Sequence, residues 1–174
     1  MGPTLPLLGP TVSAMATWQE FLDQAPELAR LAEARFDDTG LVLVATLRRD
    51  GWPRISPVEP IVMDGLVYLG MMPDSMKSLD LRRDPRVLVH SVVTDKDGKE
   101  GEAKLYGTAT EILDGDERER YCQALFAKIG WRPDVDALDL WTVDITQAVW
   151  QIFGEGGAQH AATWTPGSAP TVVK

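Results

Sequence analysis

The chain holds one cysteine, two histidines and no run of eighteen apolar residues. A lone cysteine excludes an intramolecular disulfide and any zinc site built from cysteines. It fits a reducing, cytoplasmic setting. Cys122 also falls in an apolar-periodic stretch, which marks it as a small core filler. Without a long apolar run there is no membrane-spanning helix. His160 has no second histidine near it to make a metal pair, and His90 sits inside an apolar strand pattern, so no metal site is expected. Neither a Gly-rich dinucleotide fingerprint nor a P-loop occurs. Positive charge is scarce as well. Seventeen Lys and Arg against twenty-six Asp and Glu leave a net charge of −9, which argues against nucleic acid or an anionic membrane as partner.

Within this acidic background Arg48, Arg49, Arg54, Lys77, Arg82, Arg83 and Arg86 gather in one stretch. Such a local basic patch suits a small anionic ligand better than a polymer. At 174 residues the chain is long enough for one domain with a full core. Residues 1–16, rich in Pro and Gly but lacking a basic segment, read as a flexible leader rather than a signal peptide. Met15 is an alternative start to Met1. Residues 17–154 form the domain, and 155–174, rich in Gly, Ala, Ser and Pro, read as a loose tail.

Apolar residues from Trp18 to Ala32 recur at helical spacing, with Thr17 and Glu20 as a capping box and Pro26 dividing the run into two helices. The period then changes. Leu41–Leu47, Ile55–Met63, Leu66–Met71, Arg86–Thr94 and Glu102–Leu113 read as strands, punctuated by Asp50-Gly51, Asp64-Gly65 and Asp97-Gly98 turns. Asp116–Ile129 is a helix with Tyr121, Cys122, Leu125, Phe126 and Ile129 on one stripe. Leu138–Phe153 is a last long strand, bent near Thr146-Gln147. Leu41–Leu47 and Val87–Val93 are apolar on both faces, as in a closed or covered sheet.

Three segments carry candidate chemistry. In an extended strand Arg54, Ser56 and Val58 share one face and Ile55, Pro57 and Glu59 the other. A cation and a hydroxyl side by side suit a phosphate or a ribityl chain, while a surface arginine beside a polar hairpin is the plainer reading. Pro57 removes a ladder donor, so its strand is an edge or leaves a gap where a flat ring can lie. Next, Asp74 or Ser75 caps a short helix running to about Arg83, and its free N–H groups with Lys77 make an anion site, unless it is an ordinary capped helix. The Leu66–Met71 strand that leads into this helix and the Arg54 strand are expected to be antiparallel neighbours. Third, Trp150 closes the last strand, either as core or as a ring stacked on a heterocycle.

In this order the segments resemble the pyridoxamine 5′-phosphate oxidase-like superfamily, the FMN-binding split barrels, over roughly Phe36 to Gly154. Arg54-Ile55-Ser56-Pro57-Val58-Glu59 stands where that family has an Arg-x-x-x-x-Lys strand, Leu69-Gly70 where a strand end borders the flavin, and Ser75-Met76-Lys77 where it has a Ser-Arg-Lys phosphate triplet. Val149-Trp150-Gln151 is similar to the family's Phe-Trp-Gln, whose Trp reaches the flavin from the other subunit. The resemblance implies an α+β, mainly antiparallel split barrel of six to seven strands, a homodimer, and an FMN-dependent oxidoreductase without a dedicated acid or base. Arg54, Ser56, Ser75, Met76 and Lys77 would then surround the phosphate, and Ile55, Pro57, Val58, Leu69, Gly70 and Trp150 the ring. Glu59 and Met76 depart from the pattern, and the Arg-rich end of the true oxidases is missing, so pyridoxamine phosphate is not the expected substrate. The deazaflavin F420, with Arg82, Arg83 and Arg86 on its acidic tail, and a non-catalytic flavin or haem module are the alternatives.

Overall fold

The computed structural model describes residues 14–154 and 158–173; the leader and tail readings fall partly outside these. Two helices open the chain, α1 (Trp18–Gln24) and α2 (Pro26–Thr39). Thr17 and Glu20 form the expected reciprocal capping box, and Pro26 occupies the first turn of α2. Strands β1 (Val42–Leu47), β2 (Pro53–Val58), β3 (Pro60–Met63) and β4 (Leu66–Met71) follow, then α3 (Met76–Arg83), β5 (Arg86–Ser91) and β6 (Glu102–Ile112). Helix α4 (Gly115–Ile129), a 3-10 turn (Val135–Ala137), β7 (Asp139–Phe153), β8 (Gln159–Trp164) and β9 (Thr171–Val173) complete it. No helix among the described residues is long and apolar enough to cross a membrane.

All strand pairing is antiparallel, in the order β2-β1-β5-β6-β7-β4-β3. The Asp-Gly turns lie between β1 and β2, β3 and β4, and β5 and β6, and at Asp64-Gly65 both residues have positive φ, 51° and 74°, as a tight type I′ hairpin requires. One departure governs the architecture. Ile55–Met63 is not one strand: it breaks at Glu59 into β2 and β3, which stand at opposite edges of the hydrogen-bonded order. Two edges joined through one residue cannot be more than about 7–8 Å apart at that point. The sheet is therefore rolled until its edges meet at Val58-Glu59-Pro60, yet Pro57 and Pro60 have no N–H to stitch the seam. That is a barrel with a split. It also corrects a pairing: β3, not the Arg54 strand, is the antiparallel neighbour of β4.

Inside the roll Val42, Val44, Val58, Val67, Leu69, Val87, Val89, Leu105, Val143 and Ile145 form the core. At Trp18, Phe21 and Trp164, aromatic rings meet at 4.8–5.5 Å, the range of favourable ring pairs. The last of these overturns the loose tail. Half of the free side of β7 pairs β4 and the other half pairs β8, which inserts Trp164 at 1% exposure. Strand β7 bulges where expected, since Tyr106 faces Gln147 and Gly107 faces Ile145, leaving Thr146 over. On α4 the stripe is narrower than its pattern: Tyr121, Cys122 and Leu125 are buried, whereas Phe126 and Ile129 are exposed.

Candidate functional site

Alternation along β2 behaves as the strand geometry requires. Arg54 and Ser56 are half-buried and Val58 is buried, whereas Ile55 and Pro57 on the other face are exposed; Glu59, just past the strand end, is exposed as well. Arg54 sits beside Thr46 of β1, and α3 lies across both. The residue that joins them is Asp80, 1% exposed, which the sequence reading passed over. Its Oδ2 accepts from Arg54 Nε at 2.7 Å and Thr46 Oγ1 at 3.0 Å, and its Oδ1 accepts from Arg83 Nη2 at 3.2 Å. Burial pushes the Asp80 carboxyl up, but these hydrogen bonds outweigh it and hold it below the ordinary carboxylate value. An acid between Leu79 and Leu81 in a helix rich in arginine reads as a solvated ion pair. Only the fold puts residues 26 and 34 positions upstream against it.

The Nε side of Arg54 is thus taken. Among the described residues its two Nη groups have no partner, and the side chain borders a cavity of about 530 Å³. Met76, Leu79, Asp80 and Arg83, spaced along one face of α3, form one wall, and Arg48, Arg49 and Asp50 of the β1–β2 turn another. Four guanidinium groups less two carboxylates leave a formal excess of two positive charges. The other arginines of the patch are committed elsewhere. Arg82 binds Asp74, Glu111 and Asp139, and Arg86 binds Asp84, whose carboxyl these hydrogen bonds lower to about 2.

Helix α3 begins at Ser75, but no side chain caps it, and Ser75 Oγ is a buried atom without a partner. The first-turn N–H groups carry the positive end of the helix dipole. Lys77, next in the chain to Met76, opens not into the arginine cavity but into a second one of about 330 Å³ with Pro57, Val58, Glu59 and Gly70. Arg54, held against the middle of α3 at Asp80, and Lys77, in its first turn, therefore open into two different cavities. Leu69 is fully buried in the core. Gly70 lies under Tyr121, whose hydroxyl oxygen is 2.1 Å from where a Cβ would stand, so any side chain there collides with the ring. Burial, and then the charge of Glu59, push the Tyr121 phenol well above its ordinary value. Ile55 is 66% exposed and Met76 is exposed beside the arginines. Trp150 is half-buried between Ala103 and Ala162, against Gly101, and borders neither cavity of its own chain. His90 is half-buried on β5, its Nδ1 at 2.5 Å from Ser91 O, and neither histidine lines these two cavities.

A family model described as pyridoxamine 5'-phosphate oxidase matches residues 28–151. The chain belongs to this family. The fold agrees with solved members of the same class. A conserved hypothetical protein from Mycobacterium tuberculosis superposes with TM-score 0.57 at 21% identity, over 67% of this chain and 82% of that one. A heme binding protein from Mycobacterium smegmatis gives 0.57 at 21%, over 78% and 57%. A Clostridium acetobutylicum protein related to general stress protein 26 of B. subtilis, of the pyridoxinephosphate oxidase family, gives 0.56 at 16%, over 84% and 95%. No curated protein matches the sequence. Proteins of this pyridoxamine phosphate oxidase-like family commonly bind flavin or haem.

Proposed function

We propose that the chain is an FMN-binding oxidoreductase that works as a homodimer. The observation that carries this is the preset guanidinium of Arg54, locked through Nε by buried Asp80 and turned by its Nη edge toward a cavity with two positive charges in excess. A phosphomonoester near pH 7 carries about the same charge with opposite sign. The uncapped first turn of α3 and the unpartnered Ser75 Oγ fit the same group. Arg54, Ser56, Ser75 and Lys77 would hold the phosphate, while Ile55–Val58 and Leu69-Gly70 would border the ring. Bound flavin supplies the acceptance or donation of hydride or single electrons. The residues of the chain bind and orient it, and Tyr121, kept as a neutral O–H, and the apolar walls limit water.

Dimerisation is supported by the outer face of the sheet. Ile55, Ala45, Leu88 and Tyr106 lie in one row across β2, β1, β5 and β6, with Pro57 and Leu43 in the next. A sheet apolar on both faces asks for a cover. A second copy is that cover, and it would bring a partner Trp150 within range of the flavin.

The variant with F420 in place of FMN is favoured by one observation: Arg48, Arg49 and Arg83 extend the positive wall beyond what one phosphate needs, whereas Arg82 and Arg86 are tied to carboxylates. Titration of FMN fluorescence tests the reading. Wild-type protein is expected to quench it, and Arg54→Ala and Lys77→Ala each to weaken binding ten-fold or more, the scale of about 1.5–3 kcal/mol for a charge-assisted hydrogen bond. Unchanged affinity in Lys77→Ala removes that residue from the site. Quenching by F420 with none by FMN selects the deazaflavin.

A further inference from the structure

The second cavity shares Pro57, Val58, Gly70 and Lys77 with the flavin reading, but it also holds one charge, Glu59, that the reading does not use. Glu59 is the single residue between β2 and β3, and Pro57 and Pro60, on either side of Val58-Glu59, leave the seam unstitched. Glu59 therefore stands at the split, exposed, and lines the 330 Å³ cavity together with Lys77. Among the described residues neither Glu59 nor Lys77 has an ion-pair or hydrogen-bond partner, and they are not within salt-bridge distance of each other. The remaining wall is apolar or aromatic. Met72 and Trp131 are exposed there, and Leu125 and Tyr121 come from α4.

We propose that the Glu59 side of this cavity, with Met72 and Trp131, is the substrate pocket beside the ring, and that it takes a small, largely apolar molecule bearing a protonated amine, with Glu59 as its counter-ion. The proposal rests on the flavin reading, because a phosphate drawn to Lys77 neutralises that ammonium and leaves Glu59 as the net charge of the pocket. An exposed indole at Trp131 suits a cation or an aromatic ring, by cation–π or ring contact. The cavity size is at the lower end of small-molecule sites, which excludes bulky substrates. Tyr121 stays protonated beside Glu59 and so adds no second negative charge. An anionic substrate, by contrast, would meet an uncompensated carboxylate at the split and be repelled by it.

The probes are phenethylamine and 3-phenylpropionate, alike in shape and opposite in charge, titrated calorimetrically into FMN-loaded protein. Phenethylamine is expected to bind at least ten-fold tighter than 3-phenylpropionate, and Glu59→Gln to abolish that preference. Equal or tighter binding of the acid, no binding of the amine, or a preference that survives Glu59→Gln overturns the proposal. Flavin absorbance of the loaded sample reports the underlying reading separately. If no FMN is retained, the same titrations are run on Lys77→Met protein, in which the lysine charge is removed by substitution. A Glu59-dependent amine preference there sustains the pocket without the flavin, and its absence overturns the pocket as well.

Discussion

Replacing Asp80 with Asn tests whether the arginine cavity is built around one buried charge. The carboxylate is 1% exposed and accepts from Arg54, Arg83 and Thr46. Asn keeps the shape but removes the charge, and it offers an N–H₂ where a lone pair was needed. Breaking one side of a buried ion pair costs about 3–5 kcal/mol. Here the arginines keep 26% and 38% of their side-chain exposure, so water recovers part of their solvation. We expect a loss of about 2–3 kcal/mol, which for a domain of this size is a fall in Tm of roughly 5–10 °C. The dependence on pH has a definite sign. Because Asp80 is held below its ordinary value, its contribution is whole above about pH 4, the unfolded carboxylate range, and is lost as pH falls through the lower folded value. Urea melts at pH 7 should therefore separate wild type from Asp80→Asn, and melts in acid should bring them together. A difference under about 0.5 kcal/mol at pH 7, set against that 3–5 kcal/mol scale, would refute the reasoning, as would a gap that persists in acid. The same variant frees Arg54, so FMN affinity should fall alongside stability.

Three further outcomes are expected. Gly70→Ala puts a methyl group 2.1 Å from Tyr121 Oη, an overpacking that costs about 1–3 kcal/mol, and Tyr121→Phe in the same chain should recover part of it in a denaturant melt. Cys122 is fully buried, and burial pushes its thiol up, so Ellman's reagent should fail to label it in native protein and label one thiol per chain in urea. Ile55→Asp places a charge on the outer row of the sheet and should convert a dimer to a monomer by light scattering while leaving the melting temperature of the monomer within a few degrees.

Local chemistry was readable wherever one or two residues decide a conformation. Asp50-Gly51, Asp64-Gly65 and Asp97-Gly98 mark the hairpins because each turn needs positive φ at its glycine, and at the second Asp64 adopts it too. Thr17, Glu20 and Pro26 mark the first helices for similarly local reasons. What escaped was set by contacts far apart in the chain. Nothing in Ile55–Met63 itself says that its halves belong to opposite edges; the break at Glu59 follows from how β1 and β4 recruit their partners. The Ala-rich segment Gln159–Trp164 becomes a strand because half of β7 is left unpaired and the core has room for Trp164. In the same way the candidate site was half legible. Arg54, Ser75 and Lys77 carry recognisable chemistry in their sequence positions, whereas Asp80 and Glu59 take their importance from burial and from the seam.

The visible spectrum of the purified protein, incubated with FMN and freed of unbound ligand, bears most directly on the cofactor assignment. Flavin bands are expected to be retained at one flavin per chain and to be lost in Arg54→Ala. Complete removal of the flavin from wild-type protein, or retention of a Soret band with added haem in its place, would contradict that assignment.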